Sequence, residues 1–255
     1  MGTSNFNENT RVQVPAALHL CKLGYTYLDN INAYDTKTNI LTDVFRNAAK
    51  RLNPTMSSQD VSLLFSKIAN AAGNDDLGRE FYQMLSANSG IKLVDFDNPD
   101  NNDWHVTTEF ACENKDTEDN FRPDITCFVN GMPLAFIEVK KPNNHEGILA
   151  ERERINTRMS RSCFRRFFNI TQLMIFSNNQ EYDNESRVPV QGAFYCCPAK
   201  GKAFFNVFRE EDKTFVSGYP YKEITDEDEY KVLKHRNCVV IKNLKEYQTN
   251  KEVNT

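Results

Sequence analysis

Hydrophobic residues recur at helical spacing in residues 1–90 and form shorter, extended runs between residues 91 and 220. The helical spacing, with Ser57 and Ser58 as caps and Asn53-Pro54 as a stop, predicts helices over residues 14–23, 40–52, 59–72 and 76–87. Runs of β-branched and aromatic residues predict strands over residues 91–96, 104–112, 124–129, 134–140 and 172–177, with a further pair at 191–197 and 204–209. This order of elements indicates a mixed α/β fold.

Three regions follow from the same pattern. Residues 1–90 are predicted to form a helical layer, residues 91–220 a core, and residues 221–255 an extension leading away from that core. A chain of 255 residues with 40% hydrophobic content is long enough to bury a full core. No apolar run approaches the roughly 18–20 residues that span a bilayer, so we expect no membrane partner.

The predicted strand at residues 134–140 ends in charged residues after an apolar run. Because side chains alternate along a strand, Glu138 and Lys140 share one face and Ile137 and Val139 the other. The preceding predicted strand begins at Asp124. Two adjacent strands can therefore bring two acids and a lysine together.

The length of the turn between these strands determines whether Asp124 lies on the same face as Glu138 and Lys140. Asn130-Gly131 is a strong hairpin signal. A two-residue turn would pair Asp124 with Ile137 and send the carboxylate to the wrong face. We therefore predict a three-residue turn that includes Met132, or a β-bulge of equal effect, either of which pairs Asp124 with Glu138.

These residue types suit metal-assisted hydrolysis of a phosphodiester. Mg²⁺ prefers hard oxygen ligands, so Asp124 and Glu138 are candidate metal ligands. Lys140 would stand beside the attacking water or the phosphate, where a cation stabilises the charge of the transition state. The alternative is ordinary surface charge, since Glu-x-Lys alone recurs by chance.

Four segments of the sequence together form a recognisable pattern: Arg122-Pro123-Asp124-Ile125-Thr126 and residues 129–134, 136–142 and 172–178. They resemble the amino-terminal nuclease region of the R (HsdR) subunit of type I restriction-modification enzymes. The resemblance covers roughly residues 15–245, with weaker likeness at residues 23–25 and 81–85.

That resemblance implies a PD-(D/E)xK, restriction-endonuclease-like core, in which a mixed central sheet is flanked by helices. It assigns Asp124, Glu138 and Lys140 to the triad that binds Mg²⁺ and cuts double-stranded DNA. It further implies a bacterial, cytoplasmic enzyme with methyltransferase and specificity subunits, whose R subunit continues into a helicase motor. The sequence has no G-x-x-x-x-G-K-[ST] loop, so we expect ATP to bind only a motor outside this chain.

One departure and one addition concern the segment after the triad. Family members often carry a glutamine and a tyrosine there, but residues 148–168 contain neither, so no role is transferred for that pair. Arginines recur instead at a helical spacing, which predicts a phosphate-binding face despite the net charge of −4, or else a merely solvated face. The candidate DNA-binding residues are Arg154, Arg158, Arg161, Arg165 and Lys141.

Further candidates and alternatives remain open. Glu80 or Glu109 could supply another acid, although surface salt bridges are the default expectation for both. The seven cysteines include no C-x-x-C pair and are expected to be reduced. Packing is the expected role of Cys21, Cys112, Cys127 and Cys163, whereas Cys196 and Cys197 should point to opposite sides of a strand. Besides a nuclease domain, the chain could be a non-catalytic docking module for the motor or methyltransferase, or a free-standing repair or junction-type nuclease.

Overall fold

The computed structural model describes residues 8–87, 90–112, 121–142, 144, 146–180, 192–208, 219–239 and 243–253. Strands in these ranges form one mixed sheet in chain order: β1 (Thr26–Tyr27), β2 (Trp104–Thr108), β3 (Ile125–Val129), β4 (Met132–Val139), β5 (Leu173–Ser177), β6 (Ala193–Cys196) and β7 (Asn206–Val207). The β1–β2 and β4–β5 pairs are parallel, and the other neighbouring pairs are antiparallel.

Helices surround this sheet, and a short π-helical turn (Asn9–Gln13) leads into the first of them. They are α1 (Val14–Lys22), α2 (Thr42–Leu52), α3 (Ser58–Gly73), α4 (Arg79–Leu85), α5 (Gly147–Met159), α6 (Arg165–Ile170), α7 (Asp226–His235) and α8 (Leu244–Val253). The predicted α/β class with a mixed sheet is confirmed. The four predicted amino-terminal helices also occur, and Ser57 and Asp60 form a capping box at the start of α3.

Each face of the sheet is covered by a different set of helices. An aromatic cluster that includes Phe136 joins β3–β6 to α5 and α6 on one face. On the other face, Ile125 and Cys127 pack against α1 and α7. A third cluster joins α2, α3 and α4 to the β3–β4 turn. Glu138 lies two residues after Phe136 and therefore points toward the α5 side.

The β3–β4 turn has two residues, so the three-residue turn that includes Met132 is wrong in length. Asn130 and Gly131 both have positive φ, 51° and 79°, and Val129 pairs with Met132. A register shift then occurs between Cys127 and Val129, after which Ile125 pairs with Ile137. Continued by one residue, this register brings Asp124 opposite Glu138, which is the effect predicted for a bulge.

The bulge falls where β4 contains a proline. Between the pairs Val129–Met132 and Cys127–Ala135, β4 advances by three residues while β3 advances by two, so β4 carries one extra residue. Pro133, within those steps, has no N–H to donate to a ladder, so a bulge is a place where it fits without loss. Its carbonyl oxygen instead accepts a hydrogen bond from the Thr171 hydroxyl at 3.4 Å.

Two predicted elements are wrong. Residues 91–96 form no strand, because side-chain amides occupy the backbone groups that a strand partner would take: the Asn53 side chain bonds both the N–H and the C=O of Lys92, at 2.8 and 2.9 Å. The helix expected over residues 148–168 is broken, since α5 ends at Met159 and a 3-10 turn precedes α6.

The cysteines behave as predicted: all seven are free, and Cys196 is buried while its neighbour Cys197 is exposed. No helix in the described ranges has the length and hydropathy needed to cross a bilayer. The proposed division into regions 1–90, 91–220 and 221–255 stays a prediction, although β1 from the first region joins the sheet of the second.

Candidate active site

Asp124 lies immediately before β3, at the edge where the strand leaves the sheet. Its Oδ2 accepts a hydrogen bond from the backbone N–H of Val139 at 2.8 Å, which ties the acid directly to the end of β4. Its Oδ1 accepts from the Gln13 side-chain amide at 2.7 Å. The carboxylate is thus held by two donors from different segments.

Glu138 is the most buried acid of the predicted triad. It is 4% exposed, and its Oε1 has no hydrogen-bond partner among the residues that the structure describes. Burial raises the pKa of Glu138 well above the usual value, and the nearby carboxylates of Asp124 and Glu151 raise it further. A buried carboxylate beside two others, with an unpartnered oxygen, is a costly arrangement unless a cation is present.

Lys140 sits among acids from several parts of the chain. Its Nζ lies 3.6 Å from Asp124 Oδ2, 3.4 Å from Glu151 Oε2 and 3.8 Å from Glu8 Oε1, and it donates to the Val139 carbonyl at 2.9 Å. Burial alone would lower the pKa of Lys140, but the surrounding carboxylates outweigh it and the net change is upward. Lys140 is therefore a cation at neutral pH.

Two of these acids were missed by sequence reasoning. Glu151 is buried on α5, where Arg154 contacts its Oε2 at 3.0 Å and Arg158 contacts its Oε1 at 3.7 Å. Glu8 begins the π-helical turn and also accepts from the backbone N–H of Lys141 at 3.2 Å. An acid inside an apolar helix stripe was a usable signal for Glu151, next to Ile148 and Ile155, whereas nothing in the sequence marks Glu8.

The candidate DNA-binding arginines do not share one helical face, because the helix that would carry them is broken at Ser160. Arg154 and Arg158 lie beside the triad, the first well exposed and the second stacked over the Phe121 ring at 4.6 Å. Arg161 precedes the 3-10 turn in extended conformation. Arg165 starts α6 and contacts Asp75 at 3.3 Å.

Neither candidate for an additional acid places its carboxylate with the triad. The Glu80 carboxylate, on α4, accepts a hydrogen bond from the Asn74 side-chain amide, and the Glu80 backbone N–H donates to Asp76 Oδ2 at 2.9 Å. The Glu109 carboxylate accepts from Arg236 at 2.8 Å, and that hydrogen bond lowers its pKa. The backbone N–H of Glu109 does reach the site, donating to the Asp124 carbonyl at 3.0 Å.

The donor set of Asp124 and Glu138 fits a hard divalent cation. The unpartnered Glu138 Oε1 offers one oxygen, and Asp124 offers another at the same sheet edge. Within the described ranges no group of three or more His, Cys, Asp or Glu side chains forms a complete metal cage. Two carboxylates suffice for Mg²⁺, which usually keeps waters or substrate phosphates as its other ligands.

Comparison with known proteins identifies a family for this chain. The family model described as the type I restriction enzyme R protein N terminus matches residues 5–183, a range that contains Asp124, Glu138, Lys140 and Glu151. The "Putative type I restriction enzyme MjaIXP endonuclease subunit" of Methanocaldococcus jannaschii is 28% identical over 167 residues, which are 56% of this chain and 16% of that protein. Since the family model covers most of the chain, this protein belongs to the family of type I restriction enzyme R protein N-termini.

Proposed function

We propose that this chain is the Mg²⁺-dependent endonuclease domain of a type I restriction enzyme R subunit. It hydrolyses phosphodiester bonds of double-stranded DNA with little sequence preference of its own. The observation that carries the proposal is the convergence of Asp124, Glu138 and Lys140 at one sheet edge, with a buried Glu138 oxygen that lacks a partner among the described residues. Membership of the family supports nuclease activity.

The acids and the lysine of the triad have different proposed roles. Asp124 and Glu138 are the metal ligands, and bound Mg²⁺ would polarise the phosphoryl oxygen and lower the pKa of an attacking water. Lys140 donates hydrogen bonds to that water or to the phosphate and stabilises negative charge as it develops. Glu151 holds the Lys140 ammonium on the α5 side at 3.4 Å and keeps it directed at the site.

The arginines beside the triad support DNA as the substrate. Arg154 is well exposed at the mouth of the site, and its guanidinium can contact a phosphate while Glu151 holds it at 3.0 Å. Backbone contacts of this kind do not depend on sequence. We further propose that Lys141, Arg158, Arg161 and Arg165 extend the contact along the backbone.

The surroundings of the domain are part of the proposal. The chain spans 16% of the length of the relative from M. jannaschii. We propose that it acts in the bacterial cytoplasm within a larger R subunit, whose ATP-driven helicase motor works with methyltransferase and specificity subunits. Target choice then lies in the specificity subunit.

The test compares site variants with matched controls in the assembled enzyme. Glu138→Ala and Lys140→Ala are assayed on plasmid DNA with Mg²⁺, beside Glu153→Ala and Lys67→Ala, which alter an exposed acid and an exposed lysine. We expect cleavage to fall by at least about 100-fold in the site variants, since each removes a preorganised charge. The controls should cleave normally.

The same assay separates the alternatives. Normal cleavage by Glu138→Ala and Lys140→Ala, with no Mg²⁺ binding by the wild-type protein, would support a docking module instead. Cleavage by the isolated chain, without ATP or partner subunits, would support a free-standing nuclease. The proposal predicts neither outcome.

A further inference from the structure

We infer that Arg236, which lies just after α7, is a positioning residue for the metal ligand Asp124. This inference rests on the proposed function, because it concerns the ligand geometry of the same site. Arg236 lies outside the residues that the family model matches, and 112 positions of sequence separate it from Asp124. It nevertheless reaches Asp124 by two routes.

The first route runs through the side chain of Gln13. An Arg236 Nη2 donates to Gln13 Oε1 at 2.7 Å, and Gln13 Nε2 donates to Asp124 Oδ1 at 2.7 Å. A guanidinium only donates and a carboxylate only accepts, so the amide has a single orientation that satisfies both. Arg236 thus fixes which end of the Gln13 amide faces the metal ligand.

The second route runs through the backbone of Glu109. The same Arg236 nitrogen donates to Glu109 Oε1 at 2.8 Å, and the Glu109 N–H donates to the Asp124 carbonyl at 3.0 Å. Glu109 has a φ of 51°, in the left-handed region that side chains other than glycine seldom adopt. The ion pair with Arg236 anchors the Glu109 side chain, and the Glu109 N–H bond to the Asp124 carbonyl continues the antiparallel β2–β3 pairing.

Arg236 is itself rigidly held. Its side chain is only 12% exposed, and its Nε donates to Asn9 Oδ1 at 2.7 Å. Its backbone N–H bonds to the carbonyl of Val232, a fully buried residue in the cluster that contains Ile125. The core that fixes the start of β3 therefore also fixes the base of the Arg236 side chain.

The experiment measures Mg²⁺ affinity directly, by titration calorimetry on the full chain without DNA, for wild type, Arg236→Met and Gln13→Ala. We expect each variant to bind Mg²⁺ about 10–100-fold more weakly, the loss typical when a group that orients a metal ligand is removed. The double variant should bind Mg²⁺ no more weakly than Arg236→Met alone, because Gln13 lies on one of the two routes by which Arg236 acts on Asp124. Lys234→Met, which removes a charge from the exposed end of α7, is the matched control.

Other roles for Arg236 give different results. If its charge alone mattered, its removal from beside an acidic site would tighten Mg²⁺ binding. If it only stabilised the fold, the melting temperature would drop while the affinity of the folded protein stayed at the wild-type value. Either result would overturn the inference, and if Arg236→Met does not fold, unchanged affinity in Gln13→Ala overturns it equally.

Failure of the proposed function looks different. In that case the wild-type assembled enzyme would show no Mg²⁺-dependent cleavage, or Glu138→Ala would cleave normally. Wild-type cleavage and Mg²⁺ binding, combined with unaltered binding in Arg236→Met and Gln13→Ala, would reject only the positioning role.

Discussion

Replacing Glu138 by glutamine should stabilise the metal-free protein while it abolishes cleavage. Glutamine has the shape of the protonated acid and carries no charge, so it removes a buried carboxylate that faces Asp124. Its NH₂ group can donate to the Asp124 carboxylate, where the native side chain can only repel it once ionised. The same change removes a proposed metal ligand, so stability and activity should move in opposite directions.

The size of the gain follows from the environment of the side chain. Glu138 is 4% exposed, and its Oε1 lacks a partner among the described residues. Leaving a buried group unsatisfied costs about 1–3 kcal/mol, and more if the group is charged; glutamine removes the charge of the ionised carboxylate and so removes a cost of at least this size. For a domain of this size each kcal/mol shifts the melting temperature by about 2–4 °C, so we expect Glu138→Gln to melt about 2–12 °C above wild type at neutral pH.

The difference should depend on pH with a definite sign. Burial and neighbouring carboxylates raise the pKa of Glu138 above its ordinary value of 4.5. Below that value both folded and unfolded states hold the proton, and the variant gains nothing. As the pH rises the unfolded wild-type chain loses its proton first, so wild-type stability falls relative to the variant until the folded pKa is passed.

Thermal melts from pH 4 to pH 8, with EDTA and then with Mg²⁺, test this chain of reasoning. Mg²⁺ at about 100 times its Kd should stabilise wild type by about 2.7 kcal/mol and leave Glu138→Gln unchanged. Glu153→Gln, which alters an exposed acid paired with Arg152, should stay within about 0.5 kcal/mol of wild type. A Glu138→Gln protein that melts below wild type at pH 8 without metal would refute the argument.

Three further variants test the β3–β4 turn, the aromatic core and the proposed DNA contact. Gly131→Ala should lower the free energy of unfolding by about 1–3 kcal/mol, measured by urea denaturation. Gly131 has a φ of 79°, and an added Cβ would lie 2.6 Å from the Leu41 carbonyl oxygen. An unchanged urea midpoint would contradict this. Phe121→Ala should cost about 3–5 kcal/mol by the same method, because the ring is fully buried among other aromatic rings, and a loss below 1 kcal/mol would count against it. Arg154→Ala should weaken binding to all DNA sequences alike and reduce the slope of log K against log salt by about 0.9, whereas an unchanged slope would remove it from the DNA interface.

The sequence predicts the local geometry of the triad well because that geometry depends on neighbouring residues. Alternation along β4 places Glu138 and Lys140 on one face, and the hairpin signal at Asn130-Gly131 brings the two strands together. The bulge could be anticipated as a requirement of the pairing, but the sequence did not indicate at which residues of the two strands it would fall.

The features that could not be predicted depend on contacts between residues distant in sequence. Gln13 and Asp124 are 111 residues apart, and no spacing rule links a π-helical turn to the edge of a sheet. The failed strand at residues 91–96 has a similar cause, since the Asn53 amide, 39 residues away, satisfies the backbone of Lys92. Local propensity favours a strand over residues 91–96. The backbone of Lys92 pairs with the Asn53 side chain, however, and not with a neighbouring strand.

The carboxylates around Lys140 also determine its charge in the metal-free protein. Glu8, Asp124 and Glu151 come from three separate segments and lie within 3.4–3.8 Å of its Nζ. They raise the pKa of Lys140, so the amine of the metal-free protein is a charged ammonium. An ammonium can still orient a water and stabilise a negatively charged phosphate. The three carboxylates therefore hold the Lys140 ammonium at the sheet edge of the metal-free protein, a feature that Glu-x-Lys spacing alone cannot show.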